Sequence, residues 1–415
     1  MKTVDIIFPG SLSQIIGPTG TMKRILKNQD YFKSRGYEVT IYTNDSLNNE
    51  GCSPSISTVV NKVSIKNKFR RRVGSFLRMH AKKHLRLAQY FLEKEHKSVE
   101  ALVDYYISLN RTPDIVEFHS NYECMLYLRR RKEKNAKTVM FLHSDGIPFK
   151  MTLLYYPCLK GTAYFSKMMS DFEWTVANTD RVVFIAKNGQ KNFLNLFPER
   201  SIKDTSVIIN GIDDLTGDQK KEVDIIRKDS ESSAFNYRLC CSGTINTRKG
   251  HRLIIEALYL LPQSMLSQIH VDFMGEGPER PELEQLTREY GLDNNITFCG
   301  IIPNSDIYKY LARNNVYILM SMNEGLPISI IEAMRAGLAI ISTNVSGIPE
   351  LVENEFNGFL LNPDKNELAE VLNNMSKFDW KKMGHNSRMR YENEFTFDRM
   401  KCEFCDMFDI LTKDN

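Results

Sequence analysis

The residues from Asn323 to Gly337 read Asn-Glu-Gly-Leu-Pro-Ile-Ser-Ile-Ile-Glu-Ala-Met-Arg-Ala-Gly. They put one carboxylate, Glu324, in a loop after an apolar run and a second, Glu332, on the helix that follows. Backbone N–H groups around Gly325 and Leu326 then lie at a helix N-terminus, where anionic or hydroxylated ligands bind well. Glu324 can accept hydrogen bonds from sugar hydroxyls, and Glu332, two turns further in, can take a vicinal diol such as a ribose. Spacing alone carries no weight, because many solvated helices hold such a pair. The strand before it, the Gly-Leu-Pro turn and the Ala-Met-Arg-Ala-Gly helix end give it meaning. Two histidines also end apolar runs. His143 precedes a Ser-Asp-Gly turn and sits at the carboxyl end of a strand, where it faces either a ligand or its own backbone. His119 ends the preceding strand and is expected to stay outside the chemistry.

The elements that must position these groups follow from the pattern of short apolar runs alternating with helical stretches, the signal of a parallel α/β architecture. Strands are predicted at Val4 to Phe8, Glu38 to Tyr42, Ile115 to Phe118, Thr138 to Leu142, Arg181 to Ile185 and Ser206 to Ile209. One helix is predicted from Met22 to Arg35, stopped by Gly36. Residues Asp213 to Asn236 are polar and mixed in charge, and read as a connection. The alternation then restarts with strands at Tyr237 to Ser242, His270 to Met274, Ile296 to Cys299, Val316 to Met320 and Ala339 to Ser342. Helices are predicted between them at 251–261, 281–290, 305–314 and 329–336. The expected architecture is two doubly wound, Rossmann-like domains facing each other across a cleft, with residues 1–210 and a returning helix at about 395–415 in the first and 211–394 in the second. Open α/β sheets bind ligands outside the carboxyl ends of their strands.

The 415 residues hold 55 Lys+Arg against 51 Asp+Glu, a net charge of +4, with 42% hydrophobic residues. That balance excludes collagenous, disordered and disulfide-scaffold classes. Eight cysteines without paired zinc-ribbon spacing indicate a reducing compartment, and Cys402-x-x-Cys405, in a Phe- and Met-rich stretch, reads as helix packing. The N-terminal residues carry Asp5 in their apolar run and no cleavage signature, so no signal peptide is expected. No run approaches the length of a spanning helix. The expected location is cytoplasmic, or peripheral on the inner face of the plasma membrane.

Charge is unevenly spread. Between Asn61 and Lys137 there are 19 Lys+Arg and 8 Asp+Glu, and the densest part runs from Lys66 to Lys97. There Phe69, Val73, Phe76, Leu77, Ala81, Leu85, Ala88 and Leu92 mark one helix face while Arg71, Arg78, Lys82 and Arg86 fall elsewhere. Such a segment is either an ordinary helix packed on its domain or a surface drawn to anionic lipid headgroups. No nucleic-acid module accompanies the charge, so nucleic acid is not an expected partner.

Taken together, these segments resemble the retaining, nucleotide-sugar-dependent glycosyltransferases of the GT-B fold, specifically their large fourth family, the glycosyl transferases of group 1. The resemblance rests on Ser242 to Gly250 (Ser-Gly-Thr-Ile-Asn-Thr-Arg-Lys-Gly), Phe273 to Pro278, Ile296 to Gly300, the two-glutamate block and Ser342 to Leu351. In the first domain Gly17-Pro18-Thr19-Gly20 resembles the family's glycine loop, Phe141-Leu142-His143-Ser144 its histidine loop, and Ile209 to Asp213 the segment before the second domain. The resemblance implies that Lys249 binds the donor diphosphate, that Glu324 contacts the donor sugar and Glu332 the ribose, and that Gly20 lets backbone approach the diphosphate. It makes His143 the histidine near the reacting sugar. The family places Arg after the first glycine of the lysine motif; here that position is Thr244, and Arg248 beside Lys249 can compensate.

The implied reaction is front-face displacement, in which the acceptor hydroxyl attacks the face that the diphosphate leaves and the departing phosphate takes its proton. The catalytic set is then His143, Glu324 and Lys249, and the donor-binding set Gly20, Arg248, Lys249, Glu324, Gly325, Leu326 and Glu332. No Asp-x-Asp occurs in the sequence, which fits a metal-independent enzyme with no cofactor. The implied partners are a nucleotide-sugar donor, most often UDP-linked, and a saccharide acceptor, lipid-linked in a surface polysaccharide or lipopolysaccharide pathway. A sugar-nucleotide epimerase of the same fold and a non-catalytic subunit that binds glycosylated protein are the alternatives.

Overall fold

The computed structural model describes residues 1–12, 18–48, 80–197, 203–230, 232 and 234–413. They form two compact units, Met1–Ile208 with Lys401–Asn415, and Ile209–Met400.

The first unit is built on six strands, β1 (Lys2–Phe8), β2 (Tyr37–Thr43), β3 (Ile115–Phe118), β4 (Lys137–Leu142), β5 (Arg181–Phe184) and β6 (Thr205–Val207), in the order β2-β1-β3-β4-β5-β6. All pairs are parallel. Strands such as Ile-Val-Glu-Phe and Arg-Val-Val-Phe are buried at every position, as helices on both faces require. The strand order reverses between β1 and β3, and that switch point opens at the loop after Phe8 and at His119.

One detail departs from expectation here, and another favours one of two alternatives. The helix foreseen from Met22 to Arg35 is two helices, Thr19–Lys27 and Gln29–Ser34. Asn28 ends the first by sending its backbone N–H and its side-chain amide to the Arg24 carbonyl, at 3.1 and 2.8 Å. The basic amphipathic segment lies outside the described residues up to position 79. Its described part leads into the helix Leu85–Ser108, where Ala81, Ala88 and Leu92 are buried and the last two pack around Leu159. That portion of the apolar face is therefore covered by protein, and the exposed charged groups include Lys82, Lys83, Arg86, Lys94 and Lys97, with Glu93 and Glu95 among them.

The helix Phe397–Thr412 backs the first sheet: Phe404 stacks on Phe141 of β4 at 5.4 Å, Phe408 meets Tyr37 of β2 at 5.2 Å, and Lys2 Nζ donates to the Thr412 carbonyl at 3.2 Å. Cys405 is buried in this packing and Cys402 lies 3.1 Å from the Tyr31 hydroxyl. The described cysteines are free thiols.

The second unit repeats the plan with β7 (Tyr237–Ser242), β8 (Ile269–Met274), β9 (Ile296–Gly300), β10 (Val316–Leu319), β11 (Ala339–Thr343) and β12 (Gly358–Leu361), ordered β12-β11-β10-β7-β8-β9. Again all pairs are parallel. Its switch point lies between β7 and β10. The polar stretch read as a connection contains the helix Gly217–Ser230, whose single buried residue is Val223. Val223 packs with Leu215, Tyr308 and Ala312, and so small an apolar contact leaves almost no periodic signal. Among the described residues no helix is long and apolar enough to cross a membrane.

Candidate functional site

In the second unit the loops after β7 and β10 meet at the switch point, and their charged groups converge on one atom. Arg248 Nη1 and Lys249 Nζ each lie 2.7 Å from Glu324 Oε1, and the Ser321 hydroxyl donates to the same oxygen at 2.8 Å. Sequence separation does not show this contact; the adjacency of β7 and β10 creates it. Asn246 caps the short turn Thr247–Lys249 by accepting from the Lys249 N–H. Gly250 closes that turn at φ +70°, where a Cβ would lie 1.9 Å from the Met320 carbonyl oxygen, so glycine alone lets the lysine turn dock on the end of β10. Met322 N–H donates to the Arg248 carbonyl at 2.8 Å and Arg248 Nη1 to the Asn323 carbonyl at 2.9 Å.

Glu324 is 8% exposed. Burial alone would raise its pKa, but Lys249 and then Arg248 outweigh that and hold the carboxyl below its ordinary range. The result is a buried anion under two cations. A phosphate-bearing ligand arriving here would share those cations in charge-assisted hydrogen bonds. Gly325 and Leu326 form the turn before the helix Ile328–Arg335, and the Leu326 carbonyl accepts from Asn210 at 3.4 Å. Glu332 is half-buried on that helix, and Thr244 is exposed.

In the first unit His143, directly after β4, is not alone. Its Nε2 lies 2.8 Å from Nδ1 of His119, whose Nε2 lies 2.9 Å from Glu117 Oε1 in the interior of β3. The rings of His119, His143 and Phe141 stack nearly parallel. Burial pushes the Glu117 carboxyl up to about 8 and the His119 imidazole down to about 3; burial and His119 hold His143 well below its ordinary value. Near neutral pH the acid is therefore protonated and both rings are neutral. The O–H of Glu117 then donates to His119 Nε2, and His119 Nδ1–H donates to His143 Nε2. That leaves His143 with its N–H on Nδ1. His119, expected to stand apart, thus orients the histidine that was singled out. A second buried acid, Glu123, accepts from the His119 backbone N–H at 3.1 Å and is raised by burial to about 7.

The loop after His143 is equally constrained. Gly146 has φ +78°, and a Cβ there would lie 1.8 Å from the Gly189 carbonyl oxygen. Gly17 lies outside the described residues. Gly20 is the second residue of the helix Thr19–Lys27, and a Cβ on it would lie 3.1 Å from Nη1 of Arg24, a cation that the sequence reading did not single out. Among the described residues no group of three or more His, Cys, Asp or Glu side chains could hold a metal ion.

Residues 222–393 match the family described as Glycosyl transferases group 1, so most of the second unit is a domain of that family. The phosphatidylinositol N-acetylglucosaminyltransferase GPI3 subunit of Saccharomyces cerevisiae is 24% identical over 202 residues, 48% of this chain and 43% of that protein. The amylovoran biosynthesis glycosyltransferase AmsK of Erwinia amylovora is 26% identical over 174 residues, 38% of this chain and 42% of that protein. The matched region thus spans less than half the length of these relatives. Among solved structures, WaaG, a glycosyltransferase involved in lipopolysaccharide biosynthesis, superposes with a TM-score of 0.64 at 18% identity over 99% of this chain and 100% of its own. Anabaena HepE in complex with UDP superposes with a TM-score of 0.63 at 16% identity, over 99% and 100%. The two Rossmann-like units have the GT-B glycosyltransferase fold.

Proposed function

We propose that this protein is a retaining glycosyltransferase that moves a hexose or N-acetylhexosamine from a nucleotide diphosphate sugar, a UDP-sugar, to a saccharide acceptor. The observation that carries this reading is the convergence of Arg248 and Lys249 on the buried Glu324 at the switch point of the group 1 domain. On this reading the two cations receive the diphosphate and stabilise the charge that builds on it as the glycosidic bond breaks. Glu324, released from them, takes a donor-sugar hydroxyl. Glu332 takes the ribose, and the backbone around Gly325, Leu326 and Gly20 approaches the phosphates. The departing phosphate accepts the acceptor's proton, so no protein base and no metal ion are required. His143 presents a fixed N–H to the reacting sugar.

The acceptor is a lipid-linked saccharide of a bacterial surface polysaccharide or lipopolysaccharide, made on the cytoplasmic side of the membrane. Support comes from the named activities of AmsK, WaaG and the yeast transferase and from the basic charge of the first unit. A panel of nucleotide sugars scored by thermal shift tests the reading, since a ligand that binds the folded state at a hundred times its Kd adds about 2.7 kcal/mol of stability. Selective stabilisation by one UDP-sugar is expected. Equal indifference to all nucleotide sugars and to UDP would overturn it.

A further inference from the structure

The first unit holds a cavity of about 420 Å³ at the carboxyl ends of β3 and β4, within the size range of small-ligand sites. Its lining includes Leu142 and Ser144, the neighbours of His143, together with Ser120 after His119, so it opens beside the histidine chain. Its walls are two-sided in chemistry. Val99, Leu142, Phe149 and Phe172 give an apolar floor continuous with the core of the unit. On the polar side the cavity is lined by Ser120, Asn121 and Ser144. His96 stacks on Tyr122 at 3.6 Å with an interplanar angle of 14°, and burial lowers the pKa of this histidine, which favours the neutral ring.

Charge decides what such a cavity accepts. Among the described residues that line it there is no lysine or arginine, and Glu95 contributes a carboxylate. This is notable within a segment whose 19 basic residues outnumber its 8 acidic ones. A uronic acid or a sugar phosphate would bring its charge here with no basic partner in the described lining and with the exposed Glu95 among its neighbours, at a cost that an uncharged ring avoids. A neutral pyranose matches both sides: its C–H face lies on the apolar floor, and its hydroxyls or acetamido N–H meet the polar residues Ser120, Asn121 and Ser144. We infer that this cavity binds the acceptor through an uncharged sugar ring, a neutral hexose or N-acetylhexosamine, and discriminates against acidic sugars. The inference rests on the glycosyltransferase reading and adds the class of acceptor residue to it.

The test is saturation-transfer NMR on the full chain with saturating UDP, so that the donor site is filled. The probes are methyl β-glucopyranoside, methyl β-N-acetylglucosaminide and methyl β-glucuronide. Signals from one or both neutral glycosides are expected, with the glucuronide at least fivefold weaker. Thr152→Trp, which fills the cavity, should abolish them, and Asn121→Ala should weaken binding about 3- to 10-fold through one lost hydrogen bond. Both variants should bind UDP as the native protein does. No neutral-glycoside signal, a signal unchanged by Thr152→Trp, or a glucuronide signal equal to the neutral ones would overturn the inference alone. Failure of the native protein to bind UDP would instead overturn the glycosyltransferase reading beneath it.

Discussion

Replacing Glu324 by Gln should strengthen the binding of UDP while slowing transfer. Without ligand, Lys249 and Arg248 are both held by Glu324 Oε1 at 2.7 Å, and an incoming diphosphate has to share them with that buried anion. A phosphate oxygen meeting Lys249 on the side away from Glu324 would stand at about twice the ion-pair distance, about 5.4 Å from Oε1. Two unit charges at that separation repel by about 3 kcal/mol at an effective dielectric of 20 and by just under 1 kcal/mol in bulk water. Removing the charge while keeping the side-chain shape should therefore tighten UDP by about 1 to 3 kcal/mol, or about 5- to 150-fold. The ligand-free variant should also be less stable by about 2 kcal/mol or more, because two partly buried cations lose their counter-ion. Transfer should fall about a hundredfold if, as proposed, the carboxylate that the amide replaces takes the donor-sugar hydroxyl. Isothermal titration with UDP, thermal melts with and without UDP, and initial transfer rates read the three effects. If UDP binds the variant more weakly than the native protein, or equally well, the two cations do not receive the diphosphate as described.

Glu117 should make the protein less stable as pH rises. Its carboxyl is pushed up from 4.5 to about 8, so the folded state keeps a proton that the unfolded chain releases; this contribution is complete below pH 4.5 and lost on the way to pH 8. His119 and His143, held neutral in the folded state, give the opposite slope below about pH 6.5 in native protein and variant alike, so the readout is the difference. In urea unfolding, the stability of the native protein relative to Glu117→Gln, whose amide still donates to His119, should fall between pH 5 and 8, and a difference that does not change with pH would refute it. His119→Ala should lower kcat at least tenfold and leave the donor KM within about twofold, because it removes the orientation of His143 rather than a donor contact; a matching rise in KM would argue against a positioning role. Exposed Lys82, Lys83 and Arg86 should draw the protein to anionic vesicles in a salt-sensitive way, measured by flotation against neutral vesicles. Equal failure with both removes the membrane argument.

How much of this was legible beforehand follows from where each signal is stored. Strands β7 to β11 are apolar runs bounded by turn residues, and their predicted limits fall within a residue of those observed. The helix Gly217–Ser230 is not legible because one buried valine gives no periodicity; β12 and the helices Lys365–Asn373 and Trp380–Glu394 after it are not predicted, whereas the final helix Phe397–Thr412 is expected at about 395–415. In the candidate site, Glu324 and Lys249 could be singled out as residue types in context. Their shared oxygen atom could not, because it depends on β10 returning to lie beside β7, 75 residues away in the chain for Lys249 and Glu324. Glu117 was overlooked for a related reason: in Ile-Val-Glu-Phe an acid reads as a solvent-facing position, whereas the sheet buries it and pairs it with a histidine two residues on. The cavity beside His143 needs the helix Leu85–Ser108 as a wall, and the sequence leaves open whether that segment packs on its domain or faces a membrane.

On the proposed function the group 1 domain breaks a nucleotide-sugar bond with retention and with Lys249 on the diphosphate. Proton NMR of the anomeric signal, followed during turnover of an α-linked UDP-sugar that the protein binds, tests it most directly. The first-formed glycoside should carry the α signal, and Lys249→Ala should reduce its rate by at least a hundredfold. A β-configured first product, or an undiminished rate in Lys249→Ala, would contradict the account.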